Sequence, residues 1–315
     1  MDDRRRLMNE IEKIQPEQTD PNHSAGSPKR PDLLNPLPKL TKSFAGWTFV
    51  CVVVYLWGLH GTEASPQAFY EGVPNILDFL TRLLPPQFEM RAAEWSGFSL
   101  PFTDLQVQFA NEISFSYPVV VMAIIESLQM AIIGTSIGFV LALPLAVLGA
   151  RNTSPAWWIY STTRFLFNAN RAIPDIVYAL VFVAAVGLGP FGGVMALAIG
   201  SVGSLGKMFS ESIEAIDPQP LLAIRSTGAG SVSTFLYGVI PQAMPLIISY
   251  SIYYFEHNVR SATILGLVGA GGVGFEIDKY IRLFQYQHLM GAILLIIVTV
   301  TVIDRFSDWL RKKII

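Results

Sequence analysis

The sequence predicts an all-α integral membrane protein with about six transmembrane helices. Of its 315 residues, 51% are hydrophobic and only 15% are charged, whereas an ordinary soluble domain carries about 25% charged residues. Apolar stretches long enough to cross a bilayer recur along the chain. This composition therefore places most of the chain in contact with membrane lipid.

Charge and cysteine content exclude several classes of function. The net charge is -2, so the chain lacks the basic excess that nucleic-acid binding requires, and we expect no nucleic-acid partner. The single cysteine, Cys51, lies inside an apolar run. One cysteine builds neither a disulfide framework nor a cysteine metal site.

The N-terminal part reads as an arm, one span and an outer segment. Residues 1–43 form a polar arm, which prolines keep from becoming a regular element. The apolar run at residues 44–59 would be about 24 Å long as a helix and is the predicted first span. It begins too late for the core of a cleaved signal peptide, so we expect it to remain as an anchor. Residues 60–117 are mixed in polarity, with a short amphipathic helix at 76–84.

The predicted permeation core occupies residues 118–310 and is followed by a tail at 311–315. The second span would be about 48 Å long as one helix, so it must tilt, kink or protrude, and Pro144 is a candidate kink. The five spans of this core are predicted at residues 119–150, 173–188, 191–209, 240–265 and 289–303.

Basic residues near the span ends predict the orientation. Residues 150–172 contain Arg151, Arg164 and Arg171 without an acid, and the tail is basic, so both are predicted to be cytoplasmic. The outer segment instead contains seven acidic residues against two arginines. Both chain termini are therefore expected inside, and the polar stretch at residues 211–237 becomes a cytoplasmic loop.

That loop contains the sequence DPQPLLAIRSTGAG at residues 217–230. Pro218 and Pro220 favour the start of a short helix, and Gly228 favours its end. The segment resembles the cytoplasmic signature of ABC importer permeases, which runs Glu-Ala-Ala, three residues, Gly, nine residues, then Ile-x-Leu-Pro. The positions that carry this resemblance are Leu222, Ala223, Ile224, Gly228, Gly238, Ile240 and Pro241. The spacing is kept, but Leu222 replaces the leading glutamate and Gly238 the isoleucine.

Three longer stretches, beginning at Phe167, Gly228 and Tyr253, resemble the phosphonate permeases of this class. The resemblance implies the type I ABC importer permease fold and a non-catalytic translocation subunit in a bacterial inner membrane. It also implies that the 217–230 helix, including Arg225, couples the chain to a separate ATPase present in two copies. Further implied partners are a periplasmic or lipid-anchored phosphonate-binding protein and a second permease, either an identical copy or a paralogue. ATP and magnesium would bind the ATPase, and no cofactor is expected in this chain.

The fifth predicted span contains Glu256, His257, Asn258 and Arg260. Charged groups inside a membrane usually face a bundle interior or a water-filled route. Glu256 and Arg260 are spaced to pair on one helix face, with Asn258 pointing elsewhere. Arg260 is a candidate ligand of an anionic substrate, because its planar group donates two hydrogen bonds at once. The alternative is that Glu256 and Arg260 simply neutralise each other.

A glycine-rich run follows this span. Gly269, Gly271, Gly272 and Gly274 allow the backbone to bend and approach its neighbours closely, and the resemblance implies a gate or re-entrant turn that faces the binding protein. A merely flexible outer turn is the alternative. Two dinucleotide-like glycine patterns lack the strand-turn-helix context, and the stretch from Gly200 to Lys207 departs from phosphate-loop spacing, so this chain is not expected to be the ATPase.

Smaller patterns lead to structural expectations. Gly134 and Gly138 in the second span predict close helix packing, as do Ala196, Gly200 and Ser204 in the fourth. Lys207 and Glu211 are spaced to pair on one helix. Arg164, Asn168, Arg171 and Asp175 precede the third span and are interpreted as orientation signals, and the four histidines each lie alone in the sequence.

Other functions remain open at this level. A secondary transporter would also be a helical bundle with intramembrane charges, but it usually shows more spans or an internal repeat. A membrane enzyme would need a metal set or a nucleophile with its base, neither of which the sequence offers. Within the importer class, phosphite, methionine or another small solute are alternative substrates.

Overall fold

The structure is a computed structural model that describes residues 42–62, 66–99 and 106–314. The predicted polar arm lies outside the described residues up to residue 41, and so do residues 63–65 and 100–105 of the predicted outer segment and Ile315 of the tail. The chain divides into two compact units, residues 1–72 and 73–315. The described part is mostly helical, which agrees with the predicted fold class.

Helix α1 (Lys42–Gly61) contains the predicted first span. Its aromatic side chains, including Trp47 and Trp57, are largely exposed, as expected for a helix whose surroundings are lipid. Residues 46–61 form an apolar helix shorter than the other candidate spans.

The outer segment contains helix α2 (Pro66–Arg82) and a two-stranded antiparallel hairpin, β1 (Met90–Ser99) and β2 (Gln106–Pro118). The helix is longer than the 76–84 piece that the sequence predicts, and the hairpin is a difference from the all-helical expectation. Part of its signal is present in the sequence, because apolar residues alternate with polar ones at residues 107–109 and again at 113–115, which is typical of a half-buried strand.

The permeation core begins with α3 (Val119–Gly149), α4 (Trp157–Ala172), α5 (Asp175–Val186) and α6 (Pro190–Glu214). The predicted third span at 173–188 corresponds to α5 alone. The sequence analysis did not predict α4, which precedes it, and the two helices form a pair bent by 84°. The break lies at Pro174, whose ring disfavours a helical conformation in the residue before it.

The second half contains α7 (Pro218–Ser226), the short α8 (Ser231–Thr234) and a π-helical turn (Phe235–Val239) that leads directly into α9 (Ile240–Leu265). A 3-10 turn (Gly266–Val268) connects α9 to α10 (Gly272–Arg282), and α11 (Tyr286–Ile314) ends the described chain. By length and composition, four of the described helical segments can each cross a membrane, and the α4–α5 pair adds a fifth if taken as one span.

Helices α3 and α6 run side by side in the same direction at the centre of the core. A methyl group added at Gly134 would lie 2.7 Å from Leu197 Cβ, and one added at Gly138 would lie 2.6 Å from Ser201 Cβ. These distances are too short for any side chain, so the glycines of α3 are required for the approach. The predicted small-residue packing is confirmed for α3.

The opposite side of α6 receives the broken helix pair. Gly200 leaves room for the Asp175 carboxylate, and Gly203 and Gly206 leave room for Asn170 and Phe167. Asn170 also binds this helix, since its amide donates to Ile199 O and its oxygen accepts from the Gly203 amide, both at 3.0 Å. The break between α4 and α5 is therefore held against α6 at mid-length.

Candidate translocation pathway and coupling site

Helix α7, in the loop that we predicted to be cytoplasmic, begins and ends where the sequence indicated. Asp217 caps it, accepting a hydrogen bond from the Gln219 amide at 2.9 Å. Pro218 and Pro220 occupy the first turn, where a missing N–H costs nothing. Gly228 has φ = 82°, a left-handed conformation that favours glycine, and its amide donates to Arg225 O at 3.0 Å.

One face of α7 is packed and the other is exposed. Leu221 and Ile224 lean against Gly238, where an added methyl group would lie 3.3 Å from Leu221 Cγ and 3.2 Å from Ile224 Cδ1. This contact explains why a glycine stands at the position where the importer signature has isoleucine. Leu222, Ala223 and Arg225 are exposed on the remaining surface of α7.

The base of this loop is closed by Gln242. Its Oε1 accepts from the Asp217 amide at 3.0 Å, and its Nε2 donates to Gly238 O at 2.8 Å. Pro241 lies beside it in the first turn of α9. Gln242 therefore connects the start of α7 to the first turn of α9.

A basic residue of α4 also contacts acidic residues near the C-terminal end of α6. Arg164 Nη2 lies 2.8 Å from Glu214 Oε2, and its Nη1 lies 3.4 Å from Glu211 Oε1. The predicted Lys207–Glu211 pair is wrong, because Lys207 donates to Asn168 Oδ1 at 3.3 Å instead. Contacts between helices outweigh the i, i+4 spacing here.

Glu256 and Arg260 form a hydrogen bond along α9, as their spacing predicts. They belong to a larger network, however. Arg260 Nη2 also donates to Asp304 Oδ1 at 2.9 Å, and Arg311 Nη2 donates to Glu256 Oε2 at 3.2 Å and to Asp308 Oδ1 at 2.8 Å. The additional partners lie on α11, where Asp304 is the first charged residue after the apolar run. Glu256 and Arg260 therefore do not form an isolated pair but belong to a network of five charged residues.

Asn258 faces the bundle interior, away from that network. It is fully buried, and its amide donates to Thr135 Oγ1 at 2.8 Å and to Ser201 Oγ at 2.9 Å. These bonds join α9 to α3 and α6. Asn258 is thus a buried link between three helices, and its amide nitrogen donates both of these bonds inside the bundle.

A second polar cluster on α9 was not expected from the sequence. His257 Nε2 lies 3.5 Å from Asp175 Oδ2, and Ser261 Oγ donates to the same carboxylate oxygen at 2.8 Å. The interpretation of His257 as a solitary histidine is wrong, as is that of Asp175 as only an orientation signal. The two residues are brought together only because α5 and α9 pack on the same part of α6.

The glycine-rich run forms a tight turn at the end of α9. Gly269, Gly271 and Gly272 all have positive φ, at 90°, 78° and 69°. The Gly189 amide donates to Gly269 O at 3.0 Å, which ties this turn to the start of α6. At Gly274, an added methyl group would collide with Thr263 O, so this glycine lets α10 fold back onto α9.

The turn is fastened to α3 by two residues that the sequence did not single out. The Gly272 amide donates to Glu126 Oε2 at 3.1 Å, and the Val273 amide donates to Ser127 Oγ at 2.9 Å. A carboxylate at a helix N-terminus is electrostatically favourable. Release of these two bonds would free the turn, so the geometry is suited to a gate.

The far side of α10 contacts the base of the hairpin. Lys279 Nζ lies 3.1 Å from Glu89 Oε2 and 2.9 Å from Glu276 Oε2, and the Tyr280 hydroxyl donates to Glu89 at 3.0 Å. The hydrogen bond from Lys279 holds the pKa of Glu89 below its ordinary value, while burial raises the pKa of Tyr280. This cluster fixes α10 to the outer segment.

Comparison with known proteins identifies relatives of this chain. Residues 138–315 match the family described as binding-protein-dependent transport system inner membrane component. The phosphite transport system permease protein PtxC of Stutzerimonas stutzeri is 43% identical over 189 residues, which cover 60% of this chain and 69% of that protein. The cryptic phosphonate transport system permease protein PhnE2 of Escherichia coli strain K12 is 52% identical over 122 residues, covering 39% of this chain and all of that protein.

A solved structure shares the fold. The methionine ABC transporter MetNI, in an inward-facing conformation, contains a chain that superposes with a TM-score of 0.55 at 21% identity. The match covers 62% of this chain and 96% of the other. At this identity the likeness supports the permease fold.

Proposed function

The chain belongs to the family of binding-protein-dependent transport system inner membrane components, and we propose that it is the permease subunit of an ATP-driven importer that takes up phosphonates. The observation that carries this function is α7, a short helix outside the bundle with an exposed face and a base bonded to α9. A secondary transporter has no use for such a helix. The relatives named for phosphonate and phosphite transport support a small phosphorus oxyanion as the substrate.

The proposed mechanism runs from α7 to the glycine-rich turn. Two ATPase subunits bind beneath two permease copies, each contacting the exposed face of α7 formed by Leu222, Ala223 and Arg225. When the ATPase closes, it pushes on α7, and Gln242 passes the movement to α9. The opposite end of α9 holds the turn that Glu126 and Ser127 fasten to α3.

The orientation follows from this division of roles. The α7 end faces the cytoplasm, where ATP is available, and the turn at residues 266–272 faces the binding protein. ATP and magnesium belong to the ATPase, and the permease supplies the route.

Growth on a single phosphorus source tests this function. Deletion of the gene in its bacterium should abolish growth on methylphosphonate while growth on a rich phosphorus source continues. The wild-type gene should restore growth. Loss of growth only on phosphite would move the substrate to phosphite, and unimpaired growth on both compounds would refute the proposed function.

A further inference from the structure

The exposed surface of the bundle is apolar over most of its helices, and ionisable groups are exposed among apolar side chains on some of them. The outward sides of α3 and α11 expose Ile132, Val140, Ile297 and Val302, as lipid contact requires. On α4, α5 and α9 the exposed surface instead includes ionisable groups, among them Arg171 and His257. Ionisable groups at membrane depth face protein or water because lipid exposure is expensive.

The polar surface lies at membrane depth. Asp175 contacts α6 at Gly200, ten residues from the start of that helix at Pro190, which corresponds to about 15 Å along its axis. A hydrocarbon core is about 30 Å thick. The side chains of His257 and Asp175 are nevertheless 45% and 24% exposed, an arrangement that suits an aqueous route on this side of the bundle.

The ring of His257 is held by its neighbours. Nε2 lies 3.5 Å from Asp175 Oδ2 and 3.4 Å from Ser261 Oγ, and the ring centroid lies 5.1 Å from that of Tyr254. Within the described residues, Nδ1 has no hydrogen-bond partner. The carboxylate therefore fixes the ring by one nitrogen and leaves the other available.

Arg171 stands on the same side. It directly follows Asn170, which bonds to α6 at Ile199 and Gly203, on either side of the glycine against which Asp175 packs. No carboxylate pairs with Arg171 in the part of the chain that the structure describes, in contrast to Arg164, Arg260 and Arg311, which all have acidic partners. An arginine beside an aqueous route without an acid is available to an anion.

We propose that His257 and Arg171 form a transit site for a small phosphorus oxyanion, with Asp175 and Ser261 as positioning residues. This inference rests on the proposed function and names the residues that would contact its substrate. The guanidinium donates two hydrogen bonds to neighbouring oxygens. Nδ1 of His257 donates to a charged oxygen when the ring is protonated and accepts from a P–OH group when it is neutral. Two such groups hold an anion weakly enough for release, as a transport route requires.

A transport assay tests the substrate contacts. The complete importer, reconstituted in liposomes with its binding protein, should retain methylphosphonate-stimulated ATP hydrolysis in His257→Gln and Arg171→Gln. Uptake should fall about tenfold, the loss expected for one charge-assisted hydrogen bond. His60→Gln on α1 and Arg305→Gln on α11 replace exposed residues of the same types outside the site and should behave as wild type. Parallel loss of uptake and ATP hydrolysis, or no loss of either, would overturn the site.

A double variant tests the role of Asp175. Asp175→Asn removes the charge that holds the ring, so it should slow uptake as His257→Gln does. Combining the two should add nothing, because residues that act through one contact are not additive. Multiplying defects would contradict the positioning role.

A labelling experiment tests the site without transport. Cys51 is the single cysteine, so Cys51→Ser provides a cysteine-free background. In that background His257→Cys should react with a charged, membrane-impermeant thiol reagent in opened membrane vesicles, whereas Val298→Cys on the apolar side of α11 should not. An unreactive Cys at position 257 would refute the water-facing site. If position 257 is labelled but the wild type imports no phosphorus oxyanion, the water-facing surface stands and the proposed function is what fails.

Discussion

The charge network around Glu256 predicts how stability changes when its arginines are removed one at a time or together. The Glu256 side chain is 11% exposed and binds both Arg260 and Arg311. Arg260→Met leaves Arg311 on the carboxylate, and Arg311→Met leaves Arg260. Each single change should therefore cost about 1 kcal/mol, as for partly exposed ion pairs.

Removing both arginines leaves a buried carboxylate without a charged partner. Stranding a buried charge costs about 3 to 5 kcal/mol, so the double variant should be destabilised by more than the sum of the two singles. Adding Glu256→Gln to the double variant should recover much of that loss, because no buried charge then remains. This pattern differs from that of an isolated Glu256–Arg260 pair, in which either single change would already be severe.

The measurement is reversible unfolding of the purified protein in mixed micelles titrated with SDS, together with the amount inserted in membranes. Arg305→Met is the control, because Arg305 is exposed on the same helix as Arg311. If the two single changes lower the unfolding free energy additively, or if Arg260→Met alone is severely destabilising, the two arginines do not share the Glu256 carboxylate.

Three further predictions concern other parts of the chain. Gly228→Trp should uncouple ATP hydrolysis from uptake, because the residue has φ = 82° and ends the helix that contacts the ATPase; wild-type uptake in membrane vesicles would contradict this. Gly138→Val should lower the unfolding free energy by about 1 to 3 kcal/mol or more through overpacking, whereas Gly46→Val, with no atom within 4 Å, should leave it nearly unchanged in the same SDS titration. The pKa of Glu89 is lowered from 4.5, so its bond to Lys279 should stabilise the protein above pH 4.5 and be lost as the pH falls below that value. The thermal unfolding temperatures of wild type and Glu89→Gln should therefore converge in acid. A difference that stays constant with pH would argue against this link.

Local sequence signals predicted the elements whose ends are set by their own residues. The fifth predicted span coincides with α9 at residues 240–265, since Pro241 and the following glycines mark both ends. The loop helix was predicted for the same reason, with prolines at its start and Gly228 after its end. In each case the decisive information lies within a few residues along the chain.

The sequence did not predict contacts between segments that lie far apart along the chain. Ser261 and Asp175 are 86 residues apart in sequence, and no periodicity relates α5 to α9. The partners of Glu256 were missed similarly, since Arg311 reads as a basic tail residue until α11 is placed beside α9. Helix α4 was missed because its polar and basic residues favoured a loop before the third span, although Pro174 was a usable signal for a break between two elements.

The proposed function requires that this chain carries a phosphorus oxyanion across a membrane only when a separate ATPase drives it. The most direct measurement is uptake of labelled methylphosphonate into liposomes that contain this permease, its ATPase and its binding protein. Uptake should require ATP and should stop when either partner is omitted. Uptake by the permease alone, driven by an ion gradient without ATP, would contradict it.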